Sequence, residues 1–411
     1  MNWGFLLFIK KWEECMAYID IFAGCGGLSV GLYNAGLHGL FAIEKNKDAF
    51  STLKYNLIDK KKHFDWPDWL DVKEHDINII LNKNEEQLKA LRGRIELVAG
   101  GPPCQGFSMA GKRNNKDARN KLVKSYIKFI ELVQPEALIF ENVHGFTVHF
   151  KGKQGCIKQY SSYVIEKLKA LGYQVESDVI DVSEYGVPQK RHRFILVAMR
   201  NHNPADFFAT LKNNRENFCH QKGIETNTTI EEAIGDLEKS CGTCPSPDTP
   251  RFQAGLYGNA NSGYERLMRQ GIQNDGTAVD SHRFVNHSEA IIKLHNDLLL
   301  KAPKGKRITP KDGIVENLRR RGVTVLDANS QAPTITSIPD ELVHYEEPRI
   351  LTVREHARIQ SFPDWYEFKG QYTSGGKRRK MEVPRYTQVG NAVPPLFAEQ
   401  IGCALMEVLH G

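Results

Sequence analysis

The chain has 411 residues, of which 41% are hydrophobic and 25% charged, and a formal net charge of +6. These values are ordinary for a soluble globular protein with one large and one small domain, and the weak positive charge fits a polyanionic partner and an ordinary basic enzyme equally well. The eight cysteines have no regular spacing, which excludes a secreted disulfide framework and predicts reduced thiols in the cytoplasm.

The first sixteen residues are predicted to be an N-terminal extension. Their apolar stretch is too short to span a membrane and lacks the order of a signal peptide, so we expect no membrane segment and no targeting sequence. Met16 directly precedes the first predicted strand, and the extension is either a start-site artefact or a loose tail.

Residues 17–200 alternate between apolar strands and helical patterns. The strands are predicted at 17–22, 40–44, 95–100, 137–142, 173–182 and 193–198, and the helices at 28–36, 120–134 and 160–172. This order predicts an α/β fold with a mostly parallel sheet, whose ligands bind at the carboxyl ends of the strands.

The alternating pattern weakens over residues 201–345, which are rich in Asn, Gly, Thr and Pro. Eight Lys and Arg side chains fall within 301–321, where they form either a phosphate contact or a solvated face. Cys241 and Cys244 form a CxxC pair without a second ligand pair at metal spacing, so no metal site is expected. Helical patterns return at 352–362 and 394–409.

A glycine-rich turn, "DIFAGCGG" at 20–27, links the first strand to the first helix. Glycines let the backbone approach a ligand closely and leave the helix N-terminus open to it. Glu44 ends the second strand, where an acid typically holds a ribose diol. Because the GxGxxG spacing is absent, an adenosine ligand without a pyrophosphate, such as S-adenosylmethionine, fits better than NAD.

Cys104 lies in "GGPPCQGFS", directly after the third strand. Two prolines fix the backbone before it, and the polar, turn-rich setting favours a nucleophile over a packed core cysteine. Glu141 ends the fourth strand and is either solvated or close to Cys104. In "QKRHRF", Gln189, Arg191 and Arg193 alternate onto one face, as a carboxylate-binding pair or as an ordinary charged edge.

Together these segments resemble the cytosine-C5 DNA methyltransferases, whose motifs occur here in the family's order. The resemblance rests on "DIFAGCGGLSVG" with Glu44 and Asp76, "GGPPCQGFS", "ENV", "QKRHRF", "REHARIQSFPDWYEF" and "QVGNAVPP". It is weakest over 200–325, where the family places its variable target-recognition domain, and "APTIT" at 332–336 is similar to the segment that closes that domain.

The resemblance implies a Rossmann-like, S-adenosylmethionine-dependent methyltransferase with a smaller target-recognition domain. It assigns 17–200 to the catalytic and cofactor-binding domain, 201–345 to target recognition, and 346–411 to a part that returns to the catalytic domain. It also implies that a target cytosine leaves the duplex and that Cys104 attacks its C6 atom.

The resemblance further implies individual roles. Glu141 would bind N3 and the exocyclic amine of cytosine, Arg193 and Arg191 would help hold the base and the thiolate, and Gln189 would support the strand. Ser108, Lys112 and Arg113 are candidate phosphate contacts, and Lys377 to Lys380 form either another such contact or a solvated loop. The cofactor-binding residues would be Phe22, Gly24, Glu44, Asp76, Pro102, Asn391 and Val393.

The expected partner is double-stranded DNA, with a possible cognate restriction endonuclease acting on the same site. We expect a cytoplasmic, nucleoid-associated monomer. Three alternatives remain at this point: a tRNA methyltransferase of the same fold, a nucleic-acid binder without catalysis, and an NAD-dependent oxidoreductase. The basic insert argues against the first, the intact Cys104, Glu141 and Arg193 against the second, and the missing GxGxxG against the third.

Overall fold

The computed structural model describes residues 16–103, 120–147, 150–151, 157–158, 160–272, 276–318, 322–373 and 382–411. The chain divides into two compact units. The first contains residues 1–181, 192–214 and 398–411, and the second contains 182–191 and 215–397. Cys104 lies outside the described residues, as do Ser108, Lys112, Arg113 and Lys377 to Lys380.

The first unit is built on a six-stranded sheet. Its strands are β1 (Ala17–Ile21), β2 (His38–Ile43), β3 (Leu97–Gly100), β4 (Ala137–Val143), β7 (Gln174–Asp181) and β8 (His192–Met199) in the order β2-β1-β3-β4-β8-β7, while β5 (Phe150–Lys151) and β6 (Ile157–Lys158) form a separate pair. Strands β2, β1, β3 and β4 pair in parallel, and only β8 runs antiparallel to its neighbours β4 and β7. The predicted α/β fold with a mostly parallel sheet is therefore confirmed.

The helices that begin in this unit form where apolar residues recur at helical spacing. They are α1 (Gly27–Asn34), α2 (Lys47–Leu53), a π-helical turn (Lys54–Lys60), α3 (Ile77–Lys83), α4 (Glu85–Lys89), α5 (Asn120–Val133), α6 (Tyr160–Ala170) and α7 (Pro204–Gln221). Helix α5 buries Val123, Tyr126, Phe129, Ile130 and Val133 in the core on the sheet. The side chain of Asn46 caps α2 by accepting hydrogen bonds from the backbone N–H groups of Asp48 and Ala49.

The second unit consists of short elements. Strands β9 (Thr243–Pro245) and β10 (Gln253–Gly255) pair antiparallel, and β11 (Arg307–Ile308), β12 (Val323–Val325) and β13 (Leu342–Val343) form a second sheet. The helices are α8 (Ile230–Ile234), α9 (Gly263–Met268), α10 (Glu289–Lys301), α11 (Val353–Ile359) and α12 (Arg385–Asn391). Arg358 is fully buried between Asp236 and Asp364 and donates to both carboxylates, which ties α11 to the segment after α8.

The last helix, α13 (Pro395–His410), begins in the second unit and lies mostly in the first. A Cβ atom added at Gly402 would lie 2.6 Å from the Cβ atom of Ala35, so glycine allows this helix to pack closely at the end of α1. Among the described residues, 385–410 form the one stretch long and apolar enough to cross a membrane, and 61% of its most apolar window is buried inside the protein. The buried core helix of a soluble protein can have the same length and apolar composition.

The boundaries of the two units differ from the domain boundaries expected from the sequence. Residues 346–397 lie in the second unit with most of 201–345, and 182–191 lie there as well. The expected assignment of 17–200 to catalysis and 201–345 to target recognition concerns function, and compactness does not test it. It stays a prediction.

Candidate active site

Three strand ends meet at one edge of the sheet in the first unit. Gly100 is the parallel partner of both Ile21 on β1 and Phe140 on β4. A Cβ atom added at Gly100 would lie 1.8 Å from the carbonyl oxygen of Ile21, and one added at Gly101 would lie 1.8 Å from that of Glu141. Only glycine fits at either position, so this pair lets the segment leading to Cys104 pass between β1 and β4.

Glu141 and Arg193 form an ion pair at this edge. The Nε atom of Arg193 lies 2.8 Å from Oε1 of Glu141, and the side chains are 11% and 19% exposed respectively. The contact arises because β8 lies beside β4, with Arg193 opposite Val143. Burial lowers the pKa of the Arg193 guanidinium, and the Glu141 carboxylate opposes that shift. The pair is a fixed carboxylate with one oxygen held by a buried cation.

Asn142, in the "ENV" motif, lies beside Glu141 and has no role predicted from the sequence. Its side-chain amide donates a hydrogen bond to the carbonyl oxygen of Pro102 at 3.3 Å, and its side-chain oxygen accepts one from the Val143 N–H at 2.8 Å. Asn142 and Pro102 are both buried. Asn142 therefore links the end of β4 to the segment that leads into Cys104.

Glu44 closes the glycine-rich turn after β1. Its Oε2 atom accepts a hydrogen bond from the Gly24 N–H at 2.9 Å, and Oε1 accepts one from the Asn46 N–H at 2.6 Å. Burial raises the pKa of Glu44, and the backbone hydrogen bonds oppose this shift. Gly24 and Phe22 both have positive φ angles, of 58° and 63°, so the turn reverses sharply in front of the Glu44 carboxylate.

The segment that contains Asp76 is bound to the end of the second strand, because the N–H of the preceding residue, His75, donates a hydrogen bond to the Glu44 carbonyl oxygen at 2.7 Å. Asp76 caps α3 by accepting a hydrogen bond from the Asn78 N–H, and Lys45 Nζ lies 2.7 Å from its Oδ2 atom. Burial raises the pKa of Asp76, but hydrogen bonds from Lys45 and Asn78 outweigh burial and the net pKa is lowered. Asp76 is thus an ionised carboxylate close to the second strand end.

Asp20 is a second residue without an assigned role in the sequence interpretation. It is 1% exposed, and its Oδ2 atom accepts a hydrogen bond of 2.5 Å from the Ser29 hydroxyl. Its Oδ1 atom is buried without a hydrogen-bond partner among the described residues. Burial raises the pKa of Asp20 to about 7, with a further contribution from Glu44, while the Ser29 hydrogen bond opposes it. Only its position inside the glycine-rich motif signals this residue in the sequence.

The whole described chain except its last residues matches one family. Residues 16–407 match the family model described as C-5 cytosine-specific DNA methylase. The chain belongs to this family. The predicted enzyme class, a DNA (cytosine-5-)-methyltransferase, is thereby confirmed, and the oxidoreductase alternative is excluded.

Two curated relatives and one solved structure show the extent of the likeness. The methylase is 30% identical to the type II methyltransferase M.DdeI of Desulfomicrobium norvegicum over 94% of this chain and 87% of that protein. It is 29% identical to M1.HphI of Haemophilus parahaemolyticus over 96% and 88%. A DNA modification methyltransferase encoded within an E. coli prophage shares the fold, with a TM-score of 0.65, 20% identity, and coverage of 96% of this chain and 100% of that one.

In the second unit of the methylase, Arg191 is 1% exposed and Gln189 is fully buried, while Lys190 between them is exposed. The predicted alternation onto one face is therefore confirmed. Arg191 donates hydrogen bonds to the carbonyl oxygens of Ile335, Gly390 and Ala392. This use of its donors favours a positioning role over direct contact with a base. Gln189 accepts from the Ile335 N–H and donates to Gln360, as a supporting residue would.

Asn391 and Val393 flank Ala392, one of the carbonyl groups that Arg191 holds. Asn391 is the last residue of α12 and is exposed, and Val393 is half-buried. Both lie in the second unit, whereas Phe22, Gly24, Glu44, Asp76 and Pro102 lie in the first. Their joint cofactor site therefore stays a prediction.

Proposed function

We propose that this methylase transfers a methyl group from S-adenosylmethionine to C5 of a cytosine in a specific duplex DNA sequence, after that cytosine has left the duplex and bonded covalently to Cys104. The single observation that carries this proposal is the Glu141–Arg193 pair at 2.8 Å on the strand edge next to the segment leading to Cys104. Type II methyltransferases named among the relatives support DNA as the substrate.

The reaction begins at Cys104. Its thiolate adds to C6 of cytosine, and the electron pair of the C5–C6 double bond moves into the ring toward N3. Glu141 accepts a hydrogen bond from the exocyclic amine and donates a proton to N3, which neutralises the negative charge that develops there. Arg193 holds one carboxylate oxygen, so the other is presented to the base in a fixed position. After C5 has gained the methyl group, a water molecule takes up the C5 proton and N3 returns its proton to Glu141. Release of the thiolate from C6 then restores the C5–C6 double bond.

S-adenosylmethionine supplies the methyl group as an electrophile when it is bound. Two observations on the glycine-rich turn fit this cofactor. An added Cβ atom at Gly24 would meet no atom within 4 Å, so there is space beside the turn, and the buried Oδ1 atom of Asp20 is available as an acceptor. We assign Phe22 to the adenine ring, Glu44 to the ribose hydroxyls and Asp76 to the adenine amine, with Gly24, Pro102, Asn391 and Val393 completing the site.

Asn142 and Arg191 act through other residues in this proposal. Asn142 positions the Pro102 carbonyl and with it the segment before Cys104. Arg191 positions the 335 and 390–392 segments by binding their carbonyl groups. Neither needs to touch the cytosine for its loss to reduce turnover.

Residues 201–345 are proposed to read the DNA sequence, and a restriction endonuclease with the same recognition sequence is the proposed functional partner of the methylase. We further propose that the methylase acts as a cytoplasmic monomer bound to the nucleoid. The test is transfer of labelled methyl groups to duplex DNA and to tRNA by the full chain, together with bisulfite sequencing of DNA from a methylation-free host that expresses it. Methylation of DNA at one short sequence supports the proposal, and methylation of tRNA alone overturns it.

A further inference from the structure

Two arginines stack on one tyrosine ring in the second unit. The Cζ atom of Arg283 lies 3.6 Å from the centre of the Tyr372 ring, and that of Arg385 lies 4.2 Å from it. Arg283 also lies 4.1 Å from the centre of the Phe252 ring. Contact with two aromatic rings restricts the guanidinium of Arg283 to a narrow range of positions.

The two arginines differ in what their N–H groups bind. Arg385 donates to the Gly370 carbonyl oxygen at 3.0 Å, to the Ser281 hydroxyl at 3.0 Å and to Asp248 at 2.8 Å. Arg283 has one long contact, 3.4 Å from its Nη1 atom to the Thr249 hydroxyl. Within the described parts of the chain, its buried Nε atom has no acceptor and its charge has no carboxylate at ion-pair distance.

Asp248 is the acidic residue near these two arginines, and both of its carboxylate oxygens are bound by groups other than Arg283. Oδ2 binds Arg385, and Oδ1 accepts hydrogen bonds from Ser246 at 2.9 Å and from Tyr372 at 3.2 Å. Burial lowers the pKa of Arg283. Stacking on the two rings stabilises this half-buried cation, but most of its N–H donors have no acceptor among the described residues.

We propose that Arg283 reads a guanine of the target DNA sequence, an inference that rests on the proposed function. A guanidinium presents parallel N–H donors that match the O6 and N7 acceptors of guanine in the major groove. A phosphate contact requires a positive charge but no fixed orientation of the side chain. Recognition of a base edge requires a guanidinium in a fixed orientation, which the two aromatic rings provide for Arg283. The backbone of Arg283 is itself fixed, because it forms an antiparallel bridge with Ala254 in β10.

The test compares wild type with Arg283→Gln and with the control Arg251→Gln. Arg251 is exposed and lies 5.3 Å from the same Phe252 ring, so its loss removes the same charge from the same surface. Methyl transfer is measured on a set of duplexes that carries every single-base change in the wild-type site. We expect Arg283→Gln to lose discrimination at one guanine by about tenfold or more, and Arg251→Gln to keep the wild-type preference.

Two results would overturn the assignment. One is a uniform loss of methylation on all duplexes with a reduced dependence on salt, which indicates a phosphate contact. The other is an unchanged sequence preference with a lowered melting temperature, which indicates a structural role. If Arg283→Gln does not fold, Phe252→Leu leaves the arginine in place but removes one ring, and we expect a smaller loss of discrimination at the same guanine. Absence of DNA methylation by wild type would instead refute the proposed function.

Discussion

Arg193 on β8 holds the Glu141 carboxylate on β4 at 2.8 Å, across an antiparallel pair of strands in a mostly parallel sheet. This contact brings together two residues that are 52 positions apart in the sequence and fixes a half-buried carboxylate at the edge where β1, β3 and β4 end. The proposed chemistry depends on that fixed carboxylate.

Removing the partner of Glu141 should reduce turnover. In Arg193→Ala the Glu141 carboxylate loses the cation that holds its Oε1 atom, so it no longer faces the base in one fixed position. We expect kcat to fall by about a hundredfold or more, with a smaller change in the KM for DNA. The measurement is the initial rate of methyl transfer over a range of DNA concentrations. Lys190→Ala, at an exposed neighbouring position, should keep the wild-type kcat; equal effects of the two variants would refute the role of Arg193.

Asn142→Ala should reduce turnover more than cofactor binding. The substitution removes the hydrogen bond to the Pro102 carbonyl, so the segment before Cys104 loses its link to β4. We expect a fall in kcat of about tenfold or more and, because Pro102 belongs to the proposed cofactor site, a smaller increase in the dissociation constant for S-adenosylmethionine. Calorimetric titration and methyl-transfer kinetics check the two values. An unchanged kcat would show that this hydrogen bond does not position the nucleophile.

Gly101→Ala should destabilise the protein for steric reasons, since the added Cβ atom would lie 1.8 Å from the Glu141 carbonyl oxygen. The strand end must move, which should cost about 2 kcal/mol or more in the free energy of unfolding and abolish methyl transfer. Gly93→Ala is the control. Its added Cβ atom meets nothing within 4 Å, although φ is 73°, so we expect a cost of about 1 kcal/mol and retained activity. Chemical denaturation measures both; similar losses in the two variants would contradict the steric account.

Asp20 should make the ligand-free protein less stable as the pH rises. The pKa of its buried carboxyl is raised to about 7 from an ordinary 3.8, so between those values the folded state binds the proton more strongly than the unfolded state does. Stability therefore falls across this window, by at most about 1.4 kcal/mol per pH unit from this group. Asp20→Asn keeps an acceptor for Ser29 and should remove that slope. Melting temperatures from pH 4.5 to 8 provide the check, and parallel curves for the two proteins would contradict it.

The sequence predicted the first unit well because its elements have strong local signals. Five of the six strands of its sheet are largely apolar runs, β7 being the polar exception at the edge, and β4 and β8 begin and end within one residue of their predicted bounds. The Glu141–Arg193 contact was not predicted, since it requires β8 to lie between β4 and β7. A local sequence pattern does not predict the order of strands in a sheet.

The second unit was predicted less well because its structure depends on polar contacts between residues that are far apart in the sequence. Arg358 is buried by Asp236, which is 122 residues earlier in the chain, and a charged residue in a sequence suggests a surface. The hydrogen bonds of Arg191 are nonlocal as well. Its carbonyl partners lie more than 140 residues away, so the sequence could not predict them, and the role of Arg191 beside the base stays a prediction.

The proposed reaction depends on a covalent bond between Cys104 and cytosine. Duplex DNA that carries 5-fluorocytosine at the target position cannot lose a proton from C5, so a catalytic thiolate should remain bonded to C6 after methyl transfer. We predict a stable complex of wild-type protein and DNA on a denaturing gel in the presence of S-adenosylmethionine, and no such complex with Cys104→Ser. An adduct that forms with Cys104→Ser, or methylation of normal DNA by Cys104→Ala, would contradict the account.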